Sequence, residues 1–406
     1  MFIREMSLAE FKKFSETHFI GNCHQTINYA ILKAEEGYEY EFICYEGDEI
    51  KAAALILYKK IGNIYYGYSP RGFLIDYSNP FLLKDFTQKL KEFYSKRNFA
   101  FIKINPEIAI SKLDTKTKTF VKNNNVNIID NLKNAGYIKL KDNMQFEALL
   151  PRINAIVNLS NFDANVLSKN TRNKVKKGFR KGLVLEKASL EKINILYDFI
   201  KNKINKDTYY YNDLYNVFNK TGDVDLLLVK VDYKKFLINS QYIYNLELQR
   251  NAQLNNRLIV NSNPNIINAK MNSDKALLSY KNDIAEAAKN LNQNIETYVA
   301  GAIILKHQNR ITIQISGYDK SLSRFSPNYF LYYSLLKYYK KEFKYADLNG
   351  ITADLSKEAP YYGLNRFKLG FNPDVYEYLG EFDLPINEDA YNHLLKSGLL
   401  AKEFNK

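Results

Sequence analysis

Three short segments carry side chains whose type and spacing could do chemistry. The first is Thr171-Arg172-Asn173-Lys174-Val175-Lys176-Lys177-Gly178-Phe179-Arg180-Lys181, with six cations and no acid from Arg172 to Lys181. Like charges at that density repel, so the run serves either as a solvated helix face or as a face for phosphates, with Arg172, Lys174, Lys176 and Lys177 as the RNA-contact candidates. The second is Tyr68-Ser69-Pro70-Arg71-Gly72, directly after a strand-like stretch. Pro70 fixes the backbone and Gly72 permits a tight turn or close ligand approach, so Arg71 could hold an anionic substrate group; the plain alternative is a loop. The third is Tyr361-Tyr362-Gly363-Leu364-Asn365-Arg366-Phe367-Lys368-Leu369-Gly370-Phe371, running into an aromatic-rich stretch that ends near residue 384. Lys368 there either points outward with its stem packed on the rings of Phe367 and Phe371, or presents a cation inside a substrate channel.

Other constellations are missing. The four histidines (His18, His24, His307, His393) lie far apart with no HxxxH or HxxEH spacing, so no helix-borne metal pair forms. Cys23 and Cys44 are too few for a thiolate zinc site or a disulfide framework. No GxSxG, GxxxxGK[ST] or GxG occurs, against a serine hydrolase, a P-loop NTPase or a dinucleotide enzyme. Neither a metal nor a cofactor is expected.

The elements that must position these residues follow from hydrophobic spacing. The chain has 406 residues, 46% hydrophobic and 25% charged, enough for two or three globular units. Its 58 Lys+Arg against 44 Asp+Glu leave +14, which favours anionic partners: nucleic acid, an anionic membrane surface, or phosphorylated small molecules. A biased genome composition would also give this abundance of Lys, Asn, Tyr and Ile with no Trp. The first nineteen residues interrupt their apolar positions with charges, unlike a signal peptide, and no run of about 18 apolar residues exists to cross a membrane. Cytoplasm is the expected compartment.

Residues 1–150 read as helix 8–18, strands 40–45, 51–60 and 64–68, helix 80–96 and a buried strand 100–104 closed by Pro106. A second pass of the same kind occupies 151–240 and 299–384, with strand-like 226–231, 299–305 and 311–315, helix 328–343, and strand-like 345–348 and 375–379. Residues 241–298 become Asn-, Gln-, Leu- and Lys-rich with apolar spacings of three, four and seven, broken at Asn261-Ser262-Asn263-Pro264-Asn265. This predicts an antiparallel helical hairpin, a two-stranded coiled coil, inserted between strands of the second unit; the alternative is a helix pair lying flat on it. The fold class is therefore α/β, two similar units plus a hairpin, with 385–406 available to complete the first.

Asn349-Gly350-Ile351, Tyr362-Gly363-Leu364-x-x-Phe367-Lys368 and Gly380-Glu381-Phe382-Asp383 together resemble the C-terminal signature of the Fem-type (FemABX) peptidoglycan aminoacyltransferases. Gln25 to Lys33, the stretch 68–76 with its Pro-Arg-Gly turn, and 103–108 agree in order, and 167–182 fits the family's basic segment. The resemblance implies two acetyltransferase-like (GNAT-type) domains with a coiled-coil hairpin in the second. It implies transfer of an amino acid from aminoacyl-tRNA to an amine of the peptidoglycan stem peptide, on lipid II or a UDP-linked precursor. It also implies a location at the inner face of the membrane, alone or in a homo- or hetero-oligomer with related transferases. By resemblance Lys368 stabilises charge in the transition state with Phe367 beside it, while Lys33 and Arg71 bind the acceptor. Where related enzymes often read Asp-Pro-Glu, this chain reads Asn105-Pro106-Glu107, so a carboxylate base is unavailable at 105. A second basic acceptor position falls on Tyr209, Tyr210 and Tyr211, where there is no cation; either the diphosphate is held otherwise or the acceptor differs. Two other classes remain open: a coenzyme-A-dependent N-acetyltransferase, disfavoured by the absence of G-x-G, and a non-enzymatic RNA-binding or coiled-coil interaction protein.

Overall fold

In a computed structural model, residues 1–400 are described except 148, 204 and 262; residues 401–406, part of the tail expected to complete the first unit, lie outside the described residues. In chain order the first half contains β1 (Phe2–Glu5), α1 (Leu8–Thr17), α2 (Ile27–Glu35), β2 (Glu39–Glu46), β3 (Ile50–Ile61), β4 (Ile64–Ser69), α3 (Pro80–Ser95), β5 (Phe99–Ile104), β6 (Ala109–Asp114), β7 (Thr119–Lys122), α4 (Asn127–Asn134) and β8 (Ile138–Lys139). Helix starts are written locally. Ser7 and Glu10 close a capping box on α1, and the Asn79 side chain caps α3 ahead of Pro80.

The second half contains β9 (Ile153–Asn158), α5 (Lys169–Arg180), β10 (Leu183–Ala188), α6 (Ile193–Ile200), α7 (Thr208–Asn219), β11 (Val224–Val231), α8 (Tyr233–Val260), α9 (Pro264–Asn292), β12 (Tyr298–His307), β13 (Arg310–Tyr318), α10 (Pro327–Tyr339), β14 (Tyr345–Gly350), α11 (Tyr362–Leu369), β15 (Asp374–Tyr378), β16 (Phe382–Pro385) and α12 (Glu388–Lys396).

Two sheets result, in the orders β1-β2-β3-β4-β5-β16-β8 and β10-β11-β12-β13-β14-β9-β15-β6-β7. Each is antiparallel except for one parallel pair, β4 with β5 and β13 with β14. The α/β class and the pair of similar units hold. The units nevertheless exchange strands. β6 and β7, from the stretch read as the first unit, join the second sheet through β15, with Leu113 in the second core. β16 returns to the first sheet beside β5, and it starts at Phe382 rather than after 384. Long-range pairing decides this. Buried Lys103 on β5 meets Asp383 on β16 at 2.7 Å, and Tyr391 Oη donates to the same carboxylate at 3.0 Å.

The hairpin also starts earlier than residue 241. α8 begins at Tyr233, where Asp232 caps the first turn, because Tyr233 and Phe236 pack into the core of the second unit. Along α8 and α9 only Tyr233, Phe236, Ser240, Asn251, Leu254, Ser273 and Ala287 are buried among the described residues. Midway, Asn251 Nδ2 donates to Ser273 Oγ (3.1 Å), and Ser273 Oγ donates to Glu247 (2.6 Å). A polar layer of this kind fixes register between two helices.

Candidate active site

The second sheet opens where its parallel strands part. β13 and β14 pair only at Arg310–Tyr345, Ile311–Ala346 and Thr312–Asp347. Beyond that point β13 follows β12 while β14 follows β9, with an irregularity between Asp347 and Gly350. Asn349, at φ 67°, spans the gap by donating to the Ile313 carbonyl at 3.3 Å. The gap holds a cavity of about 450 Å³, lined by the ends of both strands, by α10 and by α11.

Lys368 reaches this cavity from α11. It is buried, and its Nζ donates to the Gly350 carbonyl at 2.6 Å. Burial pushes its pKa down to about 8, and the nearby Asp347 carboxylate partly offsets this. Asp347 accepts from Asn154 Nδ2 (2.9 Å) and from the Asn349 amide (2.7 Å), while burial raises its own pKa. Phe367 also lines the cavity, its ring set against Tyr329 and Tyr332 of α10 at 4.9 and 4.8 Å between centroids. Asn365 Nδ2 holds the 352–354 loop to α11 by donating to Thr352 Oγ1 (2.7 Å) and the Asp354 carbonyl (3.0 Å). Lys368 is therefore mounted on a fixed helix, as an electrostatic site needs.

Among the described residues the first sheet has no such gap. Its parallel pair runs to Ser69 and Ile104, and the Arg71 amide then donates to Asn105 Oδ1 at 2.8 Å across the end. Arg71 sits at φ 54° in a turn clamped by buried Gln25, which donates to the Pro70 carbonyl (2.7 Å) and accepts from the Leu55 amide (2.9 Å). Gly72 is required there, since a Cβ would lie 2.2 Å from Ser69 Oγ. Asn105 thus sits where it closes a strand end. Arg71 Nη2 donates to the Pro151 carbonyl at 2.8 Å, and Pro151 lines the cavity of Lys368.

Glu107, the nearest carboxylate in sequence, is tied to Arg310 (Oε2 to Nη2, 3.0 Å). Burial alone would raise its pKa, but the Arg310 guanidinium holds it down to about 2. His24 lies among Arg71, Glu107, Arg310 and Lys33; burial, with Arg71, pushes its imidazole down to about 3.

Lys33 stands apart from Lys368, on α2. Its ammonium pairs with Glu36 at 2.6 Å and lies 5.5 Å from the Tyr29 ring centre. Lys206 pairs with the other oxygen of Glu36. On α5, Arg172 and Lys176 share one face, while Lys174 and Lys177 share another with Lys181. Lys181 pairs with Asp283 of α9, and Lys177, Arg180 and Lys181 line a cavity of about 390 Å³ against the hairpin root. At its other end α5 meets α11, where the Ser168 amide donates to the Gly370 carbonyl at 3.0 Å.

The profile of the FemAB family matches residues 6–396. The chain belongs to the FemAB family. It is 24% identical over 398 residues to the lipid II:glycine glycyltransferase of Staphylococcus epidermidis, covering 94% of this chain and 92% of that protein. The enzyme of the same name from Staphylococcus aureus is 24% identical over 403 residues, with the same coverage. Among solved structures, FemX superposes with a TM-score of 0.75 at 22% identity, covering 97% of this chain and all of FemX. The family resemblance in the motifs is borne out.

In this FemAB protein the structure brings Lys368 and Phe367 into one cavity and joins Arg71 to its wall. It does not bring Lys33 or the α5 cations into that cavity. Two further features escaped sequence reasoning. Lys206, three residues before the position that lacked a cation at Tyr209, reaches the carboxylate that also holds Lys33. Asp347, on β14, partly offsets the burial that lowers the Lys368 pKa, an influence that local spacing does not show.

Proposed function

We infer that this chain is an acyltransferase that moves an amino acid from aminoacyl-tRNA onto an amine of the peptidoglycan precursor stem peptide, lipid II being the acceptor, and so builds the interpeptide bridge. One observation carries the reading: a buried ammonium on α11 facing the cavity at the parting of β13 and β14, in a chain that matches the FemAB profile almost throughout. Attack of an amine on the ester carbon develops negative charge on the carbonyl oxygen and then on the leaving ribose hydroxyl. Lys368, cationic below about pH 8, supplies charge stabilisation for both oxygens, exchanging its Gly350 carbonyl for the substrate. Phe367 and its aromatic neighbours exclude water from the ester. Asn105 and Glu107 are poor bases, the first an amide and the second a locked counter-ion, so the amine's proton leaves to solvent or to the departing oxygen.

In this reading Lys33 and Arg71 bind the acceptor, with Lys206 beside Lys33. Arg172, Lys174, Lys176 and Lys177 bind tRNA phosphates along α5, which leads from the hairpin root to α11. No helix among the described residues is long and apolar enough to cross a membrane. Contact with a lipid-linked acceptor is read as peripheral, at the inner face of the membrane. The test is incubation with pools of charged tRNA and lipid II followed by mass analysis of the muropeptide. A gain of one aminoacyl residue that depends on charged tRNA is expected; an unchanged mass with every charged tRNA contradicts the reading.

A further inference from the structure

The tip of the hairpin presents aliphatic side chains to water. α8 and α9 contain 28 and 29 residues, each roughly 42–44 Å long, so the turn between them stands far from Tyr233 and Phe236, which root the hairpin in the core. Ile259 and Val260, which end α8, are 84% and 87% exposed; Ile267 and Met271, in the first two turns of α9, are 41% and 52% exposed. The hairpin's own seam leaves them out, since its middle is closed by Leu254 and by the hydrogen bonds linking Asn251, Ser273 and Glu247. A lone exposed aliphatic needs no partner, but four within two turns of one end form a patch.

The charge of the tip is one-sided as well. From Leu248 to Ser273 the chain carries Arg250, Arg257 and Lys270 and no acid. Arg250 and Lys270 reach back to Glu247 (3.4 Å) and Asp274 (2.6 Å), which bound the acid-free stretch. Arg257, in the last turn of α8, has no ion pair among the described residues.

Three kinds of surface could cover such a tip, and its residues favour one. RNA would offer phosphates to Arg257, but no aromatic ring lies between Tyr244 and Tyr280 for a base to stack on. A second copy would need about 800 Å² on each side, more than the end of two helices presents. A bilayer surface takes aliphatic side chains to a depth of roughly 5–10 Å and draws cations to anionic lipid. Ile259, Val260 and Ile267 lie within one turn, roughly 5 Å, of the helix ends, which matches that depth.

We propose that the hairpin tip inserts Ile259, Val260 and Ile267 into the surface of an anionic phospholipid bilayer, with Arg257 at the headgroups. The proposal rests on the lipid-linked acceptor inferred above and names the part of the chain that meets its membrane. Three aliphatic side chains and one cation give a weak, reversible attachment.

The chain contains no Trp, so a tryptophan introduced on the hairpin reports its own surroundings. Val260→Trp at the tip and Leu278→Trp on the shaft, where Leu278 is 64% exposed, are each mixed with vesicles that hold no lipid II and no RNA. The vesicles are phosphatidylcholine alone or with about one-third phosphatidylglycerol. Emission of Val260→Trp is expected to shift to shorter wavelength and to be quenched by brominated acyl chains in the anionic vesicles, with Leu278→Trp unchanged. In sedimentation with the same vesicles, the double variant Ile259→Ser, Val260→Ser should bind about tenfold more weakly than wild type at an unchanged melting temperature. Its transfer to lipid II in vesicles should slow, while transfer to lipid II in detergent should not. Equal vesicle binding by the folded double variant, or equal shifts at both tryptophans, overturns the proposal. Loss of tRNA affinity or of a dimer in that variant, with vesicle binding intact, overturns it too, in favour of RNA or a second copy. Tip-dependent vesicle binding by a wild-type protein that transfers nothing leaves the membrane surface standing and removes the transfer reading.

Discussion

Lys368 and Arg71 grip opposite sides of one close contact. Lys368 Nζ donates to the Gly350 carbonyl at 2.6 Å, Arg71 Nη2 donates to the Pro151 carbonyl at 2.8 Å, and a Cβ on Gly350 would lie 2.5 Å from Pro151 Cβ. The proposed catalytic cation in the second unit and the acceptor-side arginine of the first are thus joined through two residues. A side chain at 350 would push them apart, which gives the Asn349-Gly350 motif a physical reason.

The pH dependence of transfer should report Lys368. Its ammonium is lost as pH rises through about 8, so kcat/KM is expected to fall tenfold per pH unit above that value. Asp347 supports the charged form, so Asp347→Asn should move the basic limb to lower pH with the fold retained. A limb that stays near 8 in folded Asp347→Asn would show that another group titrates.

Glu107 is read as a counter-ion, and its removal should cost stability. Glu107→Gln leaves the Arg310 guanidinium buried without its carboxylate, at a cost on the order of 3 kcal/mol. The folded-state pKa of Glu107 is depressed from 4.5 to about 2, so its contribution is fully present above 4.5 and lost as pH falls through 2. Melting curves of wild type and Glu107→Gln should lie well apart at pH 7 and converge toward pH 2. Coincident curves at pH 7 would sink the assignment.

Much of this was legible in the sequence, and what was not has a common cause. The break of the hairpin at 261–265, the strands 64–68, 100–104, 311–315 and 345–348, and the motif around Lys368 each rest on local spacing, and they appear near where the residues put them. The first hairpin helix nevertheless begins earlier, at Tyr233. β6, β7 and β16 were misplaced because their partners are distant: Phe382 pairs with Ile104, and Lys112 with Tyr376. Short strands of four to six residues carry too little periodicity to announce which sheet they join. Within the site, Phe367-Lys368 and Arg71 were visible as motifs. Asp347 and Lys206 were not, since each acts on its partner across more than twenty residues of chain.

The cations of α5 divide between two faces, and this makes the RNA prediction specific. Replacing Arg172, Lys174, Lys176 and Lys177 by Gln should weaken tRNA binding and lower the slope of log K against log salt by about 0.7–0.9 for each phosphate no longer neutralised. The pairs Arg172 with Lys176 and Lys174 with Lys177 should differ, because Lys174 and Lys177 share the face of Lys181, which is tied to the hairpin root. Filter binding from 50 to 300 mM salt (about a sixfold span) reads this directly. An unchanged slope for all four would make α5 a solvated face.

The central claim is tested most directly by single-turnover transfer from aminoacyl-tRNA to lipid II with Lys368→Met. Met keeps the length and apolar packing of the stem and removes a buried charge. Because the folded-state pKa of Lys368 is depressed from 10.5 to about 8, the protonated lysine opposes folding at neutral pH, and the variant should melt no lower than wild type. With folding so controlled, loss of the ammonium should slow aminoacyl transfer by about 10²–10³-fold at saturating donor and acceptor, with Lys368→Arg recovering only part of the rate. Transfer by folded Lys368→Met at the wild-type rate would contradict the account.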